Sequence, residues 1–220
     1  MADLELRGKF IYNSNRLDAV HVSYENTIEL LKASPDSLLE SVEIPAIDGS
    51  KTYDRAVVLS HFNALAFVEK LARTPPFTEA HVREIHRRLM DGVIVSRGDY
   101  REVPLYPRGI PPVAPQDIPR RMARVLAILN QGFERAKDKA LLAWQVHHEF
   151  FHVHPFIEGN GRMARLLLNL VRFRAGLDLE VVQFAERERY HRSILEYGRK
   201  LAAALGAKPA SSSARTEPPR

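Results

Sequence analysis

Apolar residues recur along most of this chain at the spacing of helices that bury one face. Met163, Leu166, Leu167, Leu170 and Val171 fall at i, i+3, i+4, i+7 and i+8, while Arg162, Arg165, Asn169 and Arg172 line the opposite face. Pro155 and the Gly159/Gly161 pair fit poorly inside that helix, so it is predicted to begin near Asn160 after a loop. Upstream, Leu142, Val146, Phe150 and Val153 define a helix that opens at Lys137 or Asp138 and delivers His154 on a rigid element. Another is predicted over 52–72, with Ala56, Leu59, Phe62, Phe67 and Leu71 inward. Thr78 caps a helix over 79–91 that Gly92 closes, and Gln116-Asp117-Ile118-Pro119 opens one to about Phe133. Gly176 interrupts the pattern, 177–184 reads as irregular or briefly extended, and a last helix covers 186–205.

Residues 93–115 form the one stretch with strand character, from Val93-Ile94-Val95 to Leu105-Tyr106, and Pro104 and Pro107 keep any pairing short. The expected class is all-α with a short β-hairpin. Its predicted parts are an N-terminal helical region, 1–50, in which 34–50 connects; a core, 51–205; and a disordered tail, 206–220.

A chain of 220 residues, 45% apolar, fits one domain with a sizeable core. It has no cysteine, which removes disulfides and thiolate metal sites and suits the cytoplasm. No apolar run reaches membrane-spanning length and Met1-Ala2-Asp3-Leu4-Glu5 lacks the cationic start of a signal peptide, so a soluble, membrane-free protein is expected. The net charge of +5 raises the question of nucleic acid. Arg83, Arg87 and Arg88, with Arg120, Arg121 and Arg124, are interspersed with acids and read as solvated helix faces, so no nucleic-acid partner is expected. Homo-oligomerisation stays open.

The chemistry concentrates in His154-Pro155-Phe156-Ile157-Glu158-Gly159-Asn160-Gly161-Arg162-Met163-Ala164-Arg165. Gly159-Asn160-Gly161 sits at a helix N-terminus, where free N–H groups and the helix dipole favour a phosphate. Arg162 and Arg165 in a first helical turn oppose the dipole at about 0.3–1 kcal/mol each, a penalty that a bound polyphosphate removes. Glu158 is placed to hold a magnesium ion bridging phosphate oxygens. His154, with a near-neutral imidazole, can take a proton from an incoming hydroxyl. Taken singly, each residue has an ordinary explanation as a loop histidine, a solvated carboxylate or a turn; their conjunction does not.

A second string, His148-Glu149-Phe150-Phe151-His152, has the spacing of a zinc peptidase, but three fixed positions recur easily by chance and no third ligand is indicated.

The stretch 154–165 resembles the Fic-domain (Fido) family signature, His-x-Phe-x-(Asp/Glu)-Gly-Asn-(Gly/Lys)-Arg-x-x-Arg, at every defined position. The resemblance implies a Fic fold, a helical bundle around the motif, and a protein adenylyltransferase that moves AMP from ATP to a Ser, Thr or Tyr hydroxyl. It implies His154 as general base, Glu158 as magnesium ligand, Gly159, Asn160 and Gly161 as anion hole, Arg162 and Arg165 on the outer phosphates, and Phe156 as a core anchor. Gly161, where relatives with Lys include a phosphotransferase branch, favours nucleotidyl transfer. A downstream tyrosine borders the adenine and ribose in the family; Tyr190 is the candidate, against ordinary core packing. Gly98-x-Tyr100-Arg101 and the predicted hairpin resemble the family's flap, which implies target docking at Val103, Leu105 and Tyr106.

Residues 14–19 resemble a degenerate form of the family's inhibitory helix, (Ser/Thr)-x-x-x-Glu-(Gly/Asn), with Asp18 and Ala19 at the two diagnostic positions. Asp18 is one methylene shorter than Glu, which predicts a weak or absent pair with Arg165. A surface role for Asp18 is the alternative. Two other functional readings stand beside the transferase: a non-catalytic Fic-like module that binds nucleotide or a partner, and transfer of another nucleotide or phosphate-containing group.

Overall fold

The computed structural model describes residues 4–33, 50–105 and 113–204. Among the described residues eight helices carry the architecture: α1 Leu4–Leu17, α2 Tyr24–Ala33, α3 Ser50–Leu71, α4 Glu79–Leu89, α5 Ile118–Ala127, α6 Lys139–Val153, α7 Asn160–Arg174 and α8 Arg187–Ala204. Beyond α5 the chain continues through a π turn, Ile128–Gly132, and one more helical turn, Phe133–Arg135. No helix among the described residues is long and apolar enough to cross a membrane.

The helix boundaries follow the local chemistry. Thr78 and His81 form a reciprocal capping box at the start of α4. Asp138 accepts from the Leu141 N–H at 2.9 Å to start α6. Gly92 and Gly176 adopt left-handed backbone just past α4 and α7. The connecting loop read over 34–50 lies outside the described residues except for Ser50, which begins α3, and so does the tail from 205 onward.

α7 is the hub. It is buried from Asn160 to Val171 without interruption, a wider burial than the one-sided pattern predicts. Its apolar face packs on α6 and α3, and its polar face is covered by α1. Phe10 and Ile11 of α1 enter the core. The Asn15 side chain pairs with His61 Nδ1 at 3.0 Å, and the Asn13 side chain accepts from the Phe184 N–H at 2.8 Å. These polar contacts tie α1 to α3 and to the turn at Phe184.

The β-hairpin is not shown. Residues 106–112 lie outside the described residues; among the described residues there is no strand, and 98–105 runs as an irregular loop. Arg101 explains it: its N–H donates to Pro155 O at 2.9 Å and its Nε to His154 O at 2.8 Å. Its two remaining nitrogens donate to Val103 O at 2.8 Å and Val113 O at 2.6 Å. Carbonyls that would have entered a ladder bond a guanidinium instead.

Candidate active site

The loop between α6 and α7 is held at His154, Phe156 and Gly159. His154 terminates α6 in left-handed backbone, φ 49 and ψ 57. Phe156 is fully buried and stacks on His86, with ring centroids 3.6 Å apart and an interplanar angle of 3°. The Asn160 side chain spans the loop, accepting from Phe156 N–H at 3.0 Å and donating to Phe156 O at 2.8 Å. Its amide is therefore a brace, and only its backbone remains for an anion. Gly159 has φ 75, and a Cβ there would stand 2.8 Å from Met90 Sδ. Gly159→Ala is expected to lower the unfolding free energy by about 1–2 kcal/mol from the left-handed backbone alone; an unchanged denaturation midpoint would contradict this reading of the turn.

His86, which sequence reasoning missed, holds the loop from outside. Its Nδ1 accepts from Gly98 N–H at 2.8 Å, so Nε2 carries the proton and donates to Glu158 O at 3.1 Å. Burial, chiefly, lowers its pKa from 6.5 to about 4. His61 and His147 are also pushed down by burial, well below the usual range. A depressed histidine leaves the folded state short of protons relative to the unfolded chain below pH 6.5. Stability is therefore full above that pH and lost as pH falls toward 4. His86 alone is expected to remove about 2 kcal/mol by pH 5, and a denaturant midpoint equal at pH 7 and pH 5 would refute it.

At the α7 N-terminus the two arginines face inward. Arg162 and Arg165 are each 1% exposed. The residue between them and solvent is Asp18. Its Oδ1 accepts from Arg165 Nη2 at 2.7 Å, and its Oδ2 from the Arg162 backbone N–H at 3.1 Å, with Arg162 Nε at 3.5 Å. The carboxylate lies in the space directly over Gly161 that a Cβ would fill. The expectation that a shorter side chain would weaken the Asp18–Arg165 pair is thus corrected. Asp18 follows the last residue of α1, and the docking of α1 brings the backbone close enough for the shorter acid to reach.

Arg165 is saturated from the same side: Nε donates to Ser14 Oγ and Nη2 to Ser14 O, both at 2.8 Å. Nη1 donates to Tyr190 Oη at 3.0 Å. Tyr190 is 5% exposed and its hydroxyl points inward at Arg165. Arg162 is less well served: Nη2 lies 3.4 Å from Glu158 Oε1, and Nε and Nη1 have no hydrogen-bond partner. A buried guanidinium with unused donors at a helix N-terminus is a strong anion receptor.

His154 completes the set. Its Nδ1 faces Phe151 O at 3.2 Å; a carbonyl only accepts, so Nδ1 bears the hydrogen and Nε2 is the free base. Burial, partly offset by that bond, lowers its pKa, so the imidazole is neutral near pH 7.

The chain matches the Fic/DOC family over residues 76–171, a span that holds α4 to α6, the motif loop and the first turns of α7. These residues form a Fic/DOC domain. The chain is 30% identical over 168 residues to the protein adenylyltransferase Fic of Drosophila ananassae, covering 76% of this chain and 33% of that protein. It is 29% identical over 195 residues to the one of Culex quinquefasciatus, covering 86% of this chain and 37% of that protein. It therefore spans about a third of the length of these relatives. A Fic domain-containing signaling protein of Bacteroides thetaiotaomicron superposes with a TM-score of 0.77 at 24% identity, over 97% of this chain and 78% of that one. Fic-1 of C. elegans superposes with a TM-score of 0.71 at 25% identity, over 88% and 56%.

Within this Fic domain, Glu158 is the side chain suited to a hard cation. Its carboxylate is half exposed and touches Arg162 loosely. Among the described residues no three His, Asp or Glu side chains converge as a metal site, so a magnesium ion here would draw its other ligands from phosphate and water. In the zinc-like string, Glu149 Oε1 is held by Arg124 at 3.0 Å and Tyr197 at 2.8 Å. His148 and His152 face the backbone oxygens of Trp144 and His148 with their Nδ1 atoms. Of the basic clusters, Arg83 pairs with Glu79, and Arg87 and Arg88 with Glu84. Val103 is half exposed on the Arg101 loop, Leu105 is partly buried, and Tyr106 lies outside the described residues.

Proposed function

We propose that this Fic domain transfers AMP from ATP to a hydroxyl of a target protein, and that Asp18 holds it in a self-inhibited state. The observation that carries the reading is the carboxylate of Asp18 seated on the α7 N-terminus between two buried arginines. A carboxylate there imitates a phosphate. Once a nucleotide displaces it, the Gly161 and Arg162 backbone, Arg162 and Arg165 take the outer phosphates, with Gly159 and the Asn160 backbone shaping the hole.

His154 Nε2 then removes the proton of the target hydroxyl, whose oxygen attacks the α-phosphorus. The bond from that phosphorus to the departing pyrophosphate breaks, and the fixed N–H donors take up the growing charge. Magnesium, held by Glu158, would supply further neutralisation of the phosphates when bound. Tyr190 belongs to this site through Arg165. The target segment docks along the loop fixed by Arg101, past Val103 and Leu105, because that loop is bonded to the carbonyls of His154 and Pro155 and so moves with the base.

The test is intact mass after incubation of wild type and Asp18→Ala with magnesium and equimolar ATP, GTP, UTP and CTP. An AMP-sized gain, larger in Asp18→Ala, is expected. A gain of a different nucleotide, or none in either protein with a lysate or without, contradicts adenylyl transfer.

A further inference from the structure

Next to Arg165 and Tyr190 stands a buried histidine, His147, that the reaction scheme does not use. His147 is fully buried in α6, between Trp144, Phe151 and Tyr190, with ring centroids 5.2, 6.0 and 5.5 Å away. Its Nε2 lies 2.8 Å from Tyr190 Oη. Tyr190 Oη in turn accepts from Arg165 Nη1 at 3.0 Å.

One of these directions is fixed by chemistry: a guanidinium only donates, so the phenol oxygen accepts from Arg165 and its own hydrogen points elsewhere. We assign that hydrogen to His147 Nε2, 2.8 Å away, the tautomer that carries the imidazole hydrogen on Nδ1. Nδ1 has no hydrogen-bond partner among the described residues. Burial and the neighbouring His148 and Arg165 charges disfavour a protonated ring, which keeps the Nε2 lone pair available.

The partners of Arg165 divide into two groups. Ser14 and Asp18 come from α1 and the turn after it, the piece that must shift when an anion replaces the Asp18 carboxylate. Tyr190, on α8, belongs to the body of the domain. We propose that His147 is a positioning residue: by accepting the Tyr190 hydrogen it turns the phenol lone pair onto Arg165, and so holds the guanidinium in its phosphate-binding pose once α1 has let go. The inference rests on the proposed nucleotide site and extends it to a residue seven positions before the base.

The test uses the full chain carrying Asp18→Ala, with His147→Phe, His147→Gln, Tyr190→Phe and the double variant His147→Phe/Tyr190→Phe. Phenylalanine suits an aromatic cage, and glutamine keeps an acceptor at similar reach. Calorimetry with inorganic pyrophosphate and magnesium reads the site without transfer. A roughly tenfold weaker Kd is expected for Tyr190→Phe and for His147→Phe, no further loss in the double variant, and most of the affinity restored by His147→Gln. Where transfer is measurable, KM for ATP rises by the same factor with kcat little changed. Unchanged pyrophosphate affinity in His147→Phe, or losses that multiply in the double variant, would overturn the proposal. A lower melting temperature with the same Kd would do so too, since it would show a merely structural role. Failure of AMP transfer by every variant alongside the expected pattern in Kd would remove the adenylyltransferase reading and leave the positioning role standing.

Discussion

Replacing Asp18 by alanine is expected to raise ATP-dependent transfer about ten- to a hundredfold. Two hydrogen bonds join its carboxylate to the anion site, one to the Arg165 guanidinium and one to the Arg162 backbone. Bonds to charged groups contribute about 1.5–3 kcal/mol each to the state that makes them, and a nucleotide must break both before its phosphates can sit over Gly161. With 1.4 kcal/mol to each factor of ten in an equilibrium, the loss of even one strong bond accounts for the expected gain. The same substitution removes the carboxylate that both buried arginines contact, so the unliganded variant should also melt at a lower temperature than wild type. Magnesium and ATP should then stabilise it more than they stabilise wild type. Equal activity and equal ligand-induced stabilisation in the two proteins would show that the carboxylate does not compete with phosphate.

His154→Asn is expected to reduce transfer by about 10²–10⁴-fold, the usual contribution of a positioned general base. Asparagine is chosen because position 154 has φ 49, a left-handed conformation that Asn tolerates better than alanine. The fold should survive, and circular dichroism and the melting temperature check that it does. Because burial lowers the His154 pKa, the acid limb of kcat/KM in wild type should fall below pH 6.5, and the Asn variant should lose that limb along with the rate. Undiminished transfer in a folded His154→Asn protein would assign the base elsewhere.

Much of this architecture was legible in the sequence because local rules settle it. The period of Leu142, Val146, Phe150 and Val153 marks α6, Thr78 marks the start of α4, and Gly159-Asn160-Gly161 marks the entry to α7. The site was legible in its residues and less so in its contacts. A methylene count predicted a weak bond from Asp18 to Arg165, but the reach of a side chain matters less than where docking puts its Cα. The α1 contacts through Asn13, Asn15, Phe10 and Ile11 make that choice, and all of them are long-range. The strand character of Val103 and its neighbours meets a similar limit among the described residues: two bonds of Arg101 draw the loop onto His154 and Pro155, and two more hold Val103 O and Val113 O.

Ser14, His86 and His147 carried no signal of their own. Ser14 was visible as a position in an inhibitory pattern, but its double acceptance from Arg165 depends on the rotation of α1. His86 and His147 sit in predicted helices but outside the apolar positions that mark them, and their meaning lies in which nitrogen meets which backbone group or hydroxyl. A signal existed for both in principle: a histidine on a buried helix face needs partners for two nitrogens, and the nearby motif is where they would be found.

The central claim is that one anion position, over Gly161 and between Arg162 and Arg165, is contested between the carboxylate of Asp18 and the phosphates of a nucleotide. Calorimetric titration of a non-hydrolysable ATP analogue with magnesium into wild type, Asp18→Ala and Asp18→Ala/Arg162→Ala tests it most directly. The account predicts at least tenfold tighter binding in Asp18→Ala than in wild type, with the gain lost again when Arg162 is removed. Equal affinity in wild type and Asp18→Ala, or a gain that persists without Arg162, would contradict it.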